Sequence, residues 1–368
     1  MRIIISGGGT GGHIFPALSI ANALKKIDKN IEILFVGAEG KMEMEKVPSA
    51  GYKIIGLPVR GLQRRLTFEN IKVVINLIKS IFKANKIIKS FAPDVVVGVG
   101  GYASAPIGRA ATNKGVPLLL QEQNSYAGVT NKILGQKASC ICVAYEGMEK
   151  FFPKEKIILT GNPVRKDLFS ASKEEAIEFY NLNQGKKTIL VTGGSLGAGS
   201  LNNAVINSLE YFSSLKDVQV LWQCGSYYYK SLSEKLTLPS NVKMRAFLER
   251  MDLAYELSDI VIARAGAGTI SELCLLSKAS ILVPSPNVAE DHQTQNALAL
   301  VNKNAALMIK DSEVVATLAS VVASTIVNDE LLLSLQTNIK RMAFNDSDDV
   351  IASKIIELAK NNKTGNVK

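Results

Sequence analysis

The chain begins with MRIIISGGGTGGHIFP, residues 1–16, and this stretch decides the fold class. The apolar run Ile3–Ile5 is typical of a strand that is buried on both faces of a parallel sheet, and the glycines within residues 7–12 follow it directly. Glycine lets backbone N–H groups approach a ligand closely, and the helix that comes next turns its positive end toward the same place. The stretch therefore predicts a phosphate-binding turn, with a tight turn that binds no ligand as the alternative.

Strand-like and helix-like segments alternate along the whole chain. Apolar runs occur in the first half at residues 31–37, 94–100, 116–121 and 140–144, and in the second half at residues 188–194, 218–225, 259–266 and 280–286. This alternation is the signature of parallel sheets with helices on both faces. We therefore predict an α/β protein with doubly wound domains.

The second half of the chain repeats the plan of the first. Residues 188–209 again contain an apolar strand, a glycine turn and an amphipathic helix, and the segment 159–169 between the halves has the glycine, proline and charges of a linker. We place the first domain at residues 1–161 and the second at 162–341, and we expect the C-terminal helix, about 342–360, to pack back on the first. Because ligands bind beyond the carboxyl ends of parallel strands, we expect a cleft between the domains.

Composition excludes several classes of protein. With 368 residues, 47% of them hydrophobic and 21% charged, the chain has the composition of a globular protein, and no segment reaches the ~20 apolar residues that span a bilayer. The four cysteines lack the spacing of a zinc site and the chain has only two histidines, so we expect reduced, mostly buried thiols and no metal. We expect the protein to act on the cytoplasmic side of the membrane.

The net charge of +10 is concentrated in the first half of the chain. The segment 71–91 places Lys72, Lys79, Lys83 and Lys86 on one stripe of a predicted helix and fills the rest with apolar residues. Anionic lipids attract such lysines by about 1 kcal/mol each, so we interpret this helix as a membrane- or acceptor-binding element. A solvated face on a core helix is the alternative, and Arg60, Arg64 and Arg65 extend the basic segment.

The segment ARAGAGTISEL, residues 263–273, is more specific than any single glycine turn. It combines Arg264 with backbone positions 267–269 that could face an anion, and with Glu272, which we expect in the first turn of the next helix. A carboxylate there suits the helix dipole and can bind ribose hydroxyls, with simple helix capping as the alternative. Gln293 and Asn124 lie in polar loops whose side chains suit sugar hydroxyls.

These segments together carry a resemblance to a known family. In order, they are GGGTGGH (7–13), VGVGGYASAP (97–106), QEQNSYAG (121–128), GNPVR (161–165), GGSLGA (193–198), ARAGAGTISE (263–272) and EDHQTQNA (290–297). In this order and spacing the chain resembles the MurG family, the peptidoglycan-synthesis enzymes of glycosyltransferase family 28, from residue 1 to about residue 358. The resemblance implies the GT-B fold, in which two Rossmann-like domains with parallel sheets face a cleft.

The resemblance also implies an activity. It predicts transfer of N-acetylglucosamine, with inversion, from UDP-N-acetylglucosamine to the 4-hydroxyl of undecaprenyl-pyrophosphoryl-N-acetylmuramoyl-pentapeptide (lipid I), which gives lipid II. By matching motif positions it implies these donor contacts: Thr10, Gly11, Gly12, Asn124, Arg165, Ser195, Leu248, Ala267, Gly268, Thr269, Ile270, Ser271, Glu272 and Gln293.

Specific chemical roles follow for some of these residues. We expect His13 to be the general base, since it titrates near neutrality and lies on the first glycine turn, with a hydrogen bond to the acceptor or helix end as the alternative. Arg264 would neutralise the diphosphate, Glu272 would hold the ribose, and the backbone of Leu248 would contact the uracil. No DxD motif follows a strand end of the expected cleft, so we expect no metal and no other cofactor in the donor site.

Other functions compete with this interpretation. An NAD-dependent oxidoreductase fits the glycine spacing of residues 7–12 but leaves the segment 263–272 without a function, and a nucleotide-sugar epimerase does not need the basic helix. The pI of about 9.2 suggests nucleic acid, but the chain has 6% aromatic residues and no recognised nucleic-acid module, so we expect no such partner. The expected partners are UDP-N-acetylglucosamine, lipid I and an anionic membrane surface, with the protein bound peripherally to the cytoplasmic face of the cell membrane.

Overall fold

A computed structural model describes residues 1–59, 69–169 and 171–365, without the side chains at positions 69–72, 74, 166, 167 and 289. The chain forms two compact units. Unit 1 comprises Met1–Val164 with Phe344–Lys368, and unit 2 comprises Arg165–Ala343. The basic segment with Arg60, Arg64 and Arg65 lies outside the described residues.

Helices and strands alternate through both units. The strands are β1 Arg2–Ser6, β2 Glu32–Ala38, β3 Lys53–Leu57, β4 Val95–Gly98, β5 Leu118–Glu122, β6 Cys140–Val143, β7 Ile157–Leu159, β8 Lys187–Thr192, β9 Val218–Gln223, β10 Val242–Arg245, β11 Ile260–Ala263, β12 Ser280–Leu282 and β13 Leu307–Met308. The helices are α1 Gly11–Ile27, α2 Glu43–Ser49, α3 Glu69–Phe91, α4 Ser104–Asn113, α5 Val129–Gly135, α6 Lys173–Tyr180, α7 Gly199–Asn207, α8 Leu209–Ser214, α9 Ser226–Lys235, α10 Met251–Leu257, α11 Ala267–Leu275, α12 His292–Val301, α13 Val314–Ile326, α14 Asp329–Lys340 and α15 Ser347–Lys363.

The sheet of unit 1 is parallel throughout and is covered on both faces. Over the described residues its strand order is β3-β2-β1-β4-β5-β6-β7. Ile4 packs with side chains of α3, α4 and α5 on one face, whereas Ile3 and Ile5 pack with α1 and α15 on the other. This two-sided burial explains the uninterrupted apolar run in β1.

The sheet of unit 2 repeats this plan. Its described strands are parallel and run in the order β10-β9-β8-β11-β12-β13. Its core includes Trp222, Phe212 and the apolar residues of β8 and β11. Two parallel-sheet α/β units confirm the predicted fold class. In each unit the strand order reverses between the first strand and its fourth, and in open α/β sheets this is where ligands bind, beyond the carboxyl ends of the strands.

The C-terminal helix α15 belongs to unit 1. Its residues Ile351, Ala352, Ile355 and Ala359 are buried in the same cluster as the apolar residues of α1 and β1. The sequence predicted this return of the chain to its first domain. The cysteines at positions 140, 142, 224 and 274 are buried and not disulfide-bonded.

Candidate functional site

In unit 1, the glycine turns after β1 and β4 pack directly against each other. A Cβ atom on Gly7 would lie 2.1 Å from Cγ2 of Val99, and one on Gly101 would lie 2.4 Å from the carbonyl oxygen of Gly8. Gly101 also has φ +84°, a backbone conformation that favours glycine. The two turns therefore form one structure at the point where the strand order of unit 1 reverses.

His13, the proposed base, is the third residue of α1 and is half-buried beside these turns. Its Nδ1 lies 3.1 Å from the carbonyl oxygen of Gly8 and 3.2 Å from Oγ1 of Thr10. A carbonyl oxygen only accepts hydrogen bonds, so in the neutral ring the contact to Gly8 favours a proton on Nδ1 and the lone pair on Nε2. His13 is thus oriented by the glycine turn itself.

Glu43 holds the other side of the same turn, and no sequence motif indicated this contact. This side chain is 1% exposed, and its Oε2 accepts a hydrogen bond from the Gly9 N–H at 3.0 Å. Its Oε1 accepts from the Ala38 N–H at 2.9 Å. A carboxylate from the start of α2 therefore fixes the loop that precedes α1.

Asn124, predicted to contact the donor, lies in a loop that a second buried carboxylate organises. Glu122 accepts hydrogen bonds from the backbone N–H of Asn124 at 3.1 Å, from the N–H of Gly128 at 3.0 Å and from Nδ2 of Asn131 at 2.9 Å. Burial raises the pKa of Glu122, and these hydrogen bonds oppose the increase. Glu122 therefore fixes the loop that follows β5.

In unit 2, the glycine turn after β8 carries Ser195, which is exposed. Gly197 has φ +86°, and a Cβ atom there would lie 2.0 Å from the carbonyl oxygen of Cys224. The carbonyl of Ser195 accepts a hydrogen bond from the Ser226 N–H at 3.2 Å. The turns after β8 and β9 are therefore packed together, as the two turns of unit 1 are.

The segment 267–272 forms the start of α11, but Glu272 is not in its first turn. The helix begins at Ala267 after the N-cap residue Gly266, so Glu272 is the sixth helical residue and lies in the second turn. The predicted interaction with the helix dipole is correspondingly weaker, because that effect fades beyond the first turn. The backbone N–H groups of residues 267–269 are the ones at the helix N-terminus.

A buried tyrosine that the sequence did not reveal holds Glu272 instead. The hydroxyl of Tyr255 donates a hydrogen bond to Oε2 of Glu272 at 2.9 Å, and Tyr255 is 1% exposed. Burial, and then the charge of Glu272, raise the pKa of Tyr255, while the charge of Arg165 opposes the increase. Arg165 and Glu272 therefore act on the same hydroxyl group, although they lie far apart in the sequence.

Arg264 is already engaged within unit 2. Its guanidinium group forms an ion pair with Asp311, donates to Oγ of Ser200 at 2.8 Å and donates to the carbonyl oxygen of Val283 at 3.0 Å. The side chains of Arg264 and Asp311 are only 15% and 22% exposed. Arg264 therefore connects the turn after β11 to the N-terminal turn of α7. The predicted contact between Arg264 and a diphosphate stays a prediction.

The other predicted donor contacts of unit 2 lie in the segments that follow β10 and β12, and Gln293 is the second residue of α12 rather than part of the predicted polar loop. Leu248 is 1% exposed and its N–H donates to Oε1 of Gln223 at 2.8 Å, while the neighbouring Phe247 is about half-exposed. Oε1 of Gln293 accepts a hydrogen bond from the Ser285 N–H at 2.9 Å. Together with the turns after β8 and β11, these segments place the predicted contacts of unit 2 at the carboxyl edge of one sheet, Arg165 excepted.

The surface of α3 combines lysines with exposed apolar side chains. Lys79, Lys83 and Lys86 are exposed, and Lys83 forms an ion pair with Glu39 at 2.9 Å. The backbone of Lys72 lies in the helix, and its side chain is outside the described atoms. Phe82 is 73% exposed, and the other exposed apolar residues of what we call the α3 surface are Ile75, Leu77, Ile78 and Ile81.

The described part of the chain shows neither a cluster of metal ligands nor a single helix that could span a membrane. Across residues 1–59, 69–169 and 171–365, no group of three or more His, Cys, Asp or Glu side chains is arranged to hold a metal ion. Over the same part of the chain, no single helix is long and apolar enough to cross a bilayer. The pair α13 and α14, bent by 95°, meets that criterion only when both helices are counted together.

Comparisons with known proteins cover almost the full chain. The N-terminal domain of glycosyltransferase family 28 matches residues 3–143, and the C-terminal domain of the same family matches residues 188–351. The UDP-N-acetylglucosamine--N-acetylmuramyl-(pentapeptide) pyrophosphoryl-undecaprenol N-acetylglucosamine transferase of Bacteroides thetaiotaomicron is 56% identical over 365 residues, which cover 98% of each chain.

Solved structures give the same result for the fold. The crystal structure of Acinetobacter baumannii MurG matches with a TM-score of 0.78 and 27% identity, covering 97% of this chain and 99% of that one. A UDP-GlcNAc 2-epimerase from Neisseria meningitidis matches with a TM-score of 0.69 but only 14% identity, covering 97% and 100% of the two chains. The epimerase likeness concerns the fold alone.

Proposed function

The chain belongs to glycosyltransferase family 28, and from this premise we infer that it transfers N-acetylglucosamine from UDP-N-acetylglucosamine to N-acetylmuramyl-(pentapeptide) pyrophosphoryl-undecaprenol. The observation that carries this function is the 56% identity, over 98% of both chains, to a relative named for that reaction. The protein is therefore a hexosyltransferase of peptidoglycan synthesis.

We propose that unit 2 binds the UDP part of the donor at the carboxyl edge of its sheet. The carboxylate of Glu272, oriented by Tyr255, would accept hydrogen bonds from the ribose hydroxyls. Because the N–H of Leu248 is already donated to Gln223, we assign the uracil contact to the Leu248 carbonyl group. Gln293, in the first turn of α12, would bind the sugar.

The diphosphate would be bound mainly by backbone N–H groups. Residues 267–269 present such groups at the N-terminus of α11, where the helix dipole also favours negative charge, and the hydroxyl of Ser195 is exposed on the turn after β8. Since Asp311 compensates much of the charge of Arg264, we propose that Arg264 has a structural role and connects the turn after β11 to α7. We propose that no metal ion takes part; loss of activity in EDTA that Mg²⁺ restores would contradict this.

Unit 1 would supply the base for an inverting transfer. With its Nδ1–H directed at the carbonyl of Gly8, the neutral imidazole of His13 has its lone pair on Nε2, the form that accepts the proton of an attacking hydroxyl. That hydroxyl would be the 4-hydroxyl of the muramoyl sugar. Three residues beside His13, namely Thr10, Gly11 and Gly12, and Asn124 of the Glu122-anchored loop would complete the contacts to the donor sugar.

We also propose that the protein binds the cytoplasmic face of the cell membrane peripherally, through the α3 surface. Exposed apolar side chains are unfavourable on a helix that faces water, whereas their burial in the interfacial region of a bilayer is favourable. Lys79, Lys83 and Lys86 beside them would attract anionic head groups. A lipid-linked acceptor requires the enzyme to work at such a surface.

The function is tested by following radiolabelled N-acetylglucosamine from UDP-N-acetylglucosamine into a lipid-diphosphate acceptor. The expected result is labelled lipid and free UDP only when both substrates are present. An epimerase would instead convert UDP-N-acetylglucosamine without any acceptor, and an oxidoreductase would require a nicotinamide cofactor. Either of these outcomes would contradict the proposed function.

A further inference from the structure

The peptide group between Gly8 and Gly9 connects two titratable side chains. Its N–H, which belongs to Gly9, donates to Oε2 of Glu43 at 3.0 Å. Its carbonyl oxygen, which belongs to Gly8, lies 3.1 Å from Nδ1 of His13. Because the N–H and C=O of one trans peptide point in opposite directions, a single planar group links the carboxylate to the imidazole ring.

Glu43 is held in this position from several sides. It is 1% exposed, and its other oxygen accepts a hydrogen bond from the Ala38 N–H at the end of β2. A Cβ atom on Gly8 would lie 2.1 Å from Oε1 of Glu43, and one on Gly37 would lie 2.6 Å from its Cγ atom. Glycine at both positions therefore leaves the space that this carboxylate occupies.

The carboxylate strengthens the hydrogen bond on the far side of the peptide group. A charged acceptor on the N–H polarises the peptide, which makes the Gly8 carbonyl oxygen a better acceptor for Nδ1–H of His13. That contact stabilises the tautomer with its lone pair on Nε2, and it also stabilises the imidazolium ion that forms when His13 takes up a proton. The hydroxyl of Thr10, 3.2 Å from the same nitrogen, adapts to either tautomer, so of these two contacts to Nδ1 the carbonyl is the one that favours a particular tautomer.

We propose that Glu43 is a positioning residue that acts on His13 through the Gly8–Gly9 peptide group. It fixes the tautomer and the orientation of the imidazole, as a buried carboxylate does for a catalytic histidine elsewhere, but with one peptide group between them. This inference rests on the role of His13 in the proposed function and adds a residue that does not touch the substrate.

The first experiment reads the tautomer directly by ¹⁵N NMR of histidine-labelled protein. The chain contains only His13 and His292, so the variant His292→Gln assigns both rings. In the wild-type protein, the neutral ring of His13 is expected to carry its proton on Nδ1, and Glu43→Gln is expected to increase the fraction with the proton on Nε2. A wild-type His13 protonated on Nε2 would overturn the proposal even if no variant folded.

The second experiment separates positioning from simple stability. Glu43→Gln is expected to lower kcat about 10-fold while the KM for UDP-N-acetylglucosamine stays within about twofold, because unit 2 holds most of the donor contacts. The matched control is Glu45→Gln, an exposed acid on the same helix, which leaves both constants unchanged. Glu43→Asp, which keeps the charge, is expected to recover part of kcat.

A double variant distinguishes this inference from the proposed function. If Glu43 acts through His13, Glu43→Gln has no further effect on kcat in a His13→Ala background, whereas additive losses would contradict the coupling. If His13→Ala keeps a near-normal kcat, the base assignment fails, yet the tautomer measurement still tests the link to Glu43. If His13→Ala is inactive but Glu43→Gln does not change the tautomer ratio of His13, the inference about Glu43 fails and the proposed function stands.

Discussion

At the scale of single residues, Glu272 is the side chain on which the proposed donor site depends most. Its carboxylate is oriented by the buried hydroxyl of Tyr255 and is proposed to bind the ribose. Removing a charged hydrogen bond costs ~1.5–3 kcal/mol, so Glu272→Ala should raise the donor KM by roughly 10- to 100-fold. Steady-state kinetics measure this KM. The control is Glu234→Ala, which removes an exposed acid on α9. An unchanged KM would remove Glu272 from the site.

His13 is expected to affect the chemical step rather than binding. General-base catalysis contributes about 100-fold or more, so His13→Ala should lower kcat by at least that factor at saturating substrates. The dissociation constant for UDP should stay the same, since its proposed ligands are mostly in unit 2. Kinetics and UDP titration on the same preparation test both statements, and a kcat close to wild type would show that the base is another group.

Residues of the candidate site were predictable where a short motif carries them. The glycines, His13, Asn124 and Glu272 lie in local patterns whose chemistry can be read from neighbouring residues. Their supports are distant in sequence: Glu43 approaches Gly9, Tyr255 approaches Glu272, and Asp311 approaches Arg264 only once the sheets have formed. No local pattern encodes such contacts, so the sequence predicts candidate ligand contacts, which stay predictions, and misses the groups that hold these side chains in place.

At the scale of elements, the proposal that the α3 surface binds membranes can be tested. Burying a phenylalanine side chain in an apolar environment gains about 1.5–3 kcal/mol, so Phe82→Ser should weaken binding to vesicles containing anionic lipid by about tenfold. Phe179→Ser on α6 of unit 2, a phenylalanine that is 52% exposed, is the matched control and should change nothing. If the fraction of protein that sediments with vesicles does not change with Phe82→Ser, with the anionic lipid content or with salt, the α3 surface is not the membrane-binding surface.

The start of α10 is held by an ion pair whose contribution depends on pH. The guanidinium group of Arg250 donates to both oxygens of Asp252 and to Glu175 of α6, and this lowers the pKa of Asp252. A carboxyl group with a lowered folded-state pKa stabilises the fold above its unfolded pKa, and this contribution disappears as the pH falls through the folded value.

Asp252→Asn should therefore lower the Tm of unit 2 by about 2 °C at pH 7 and by progressively less below about pH 4. Thermal unfolding followed across this range tests the sign, with the exposed Asp217→Asn as the control. A Tm difference that stays constant down to pH 2 would show that the ion pair is not the cause.

The elements that sequence patterns missed share a position in the fold. The strands β3, β7, β10 and β13 were not predicted, and each of them lies at an edge of its sheet. An edge strand has one neighbour, so part of it remains accessible: residues of β3 and β13 are only half-buried. The continuous apolar run that identifies a central strand is therefore absent, whereas β1, β4, β8 and β11 show it clearly.

At the scale of the whole molecule, the alternation of strands and helices was enough to predict two parallel sheets of the same plan. The repeated plan explains why glycine turns come in pairs: those after β1 and β4 flank the reversal of strand order in unit 1, and those after β8 and β11 flank it in unit 2. The shared cleft that the sequence suggests stays a prediction, because it depends on how two separately folded units are arranged.

A crystal structure of the protein soaked with UDP tests the central claim most directly. We predict that UDP binds to unit 2 with its diphosphate on the N–H groups of residues 267–269, its ribose on Glu272 and its uracil at Leu248. UDP bound to the glycine turn of unit 1, or bound away from α11, would contradict the account.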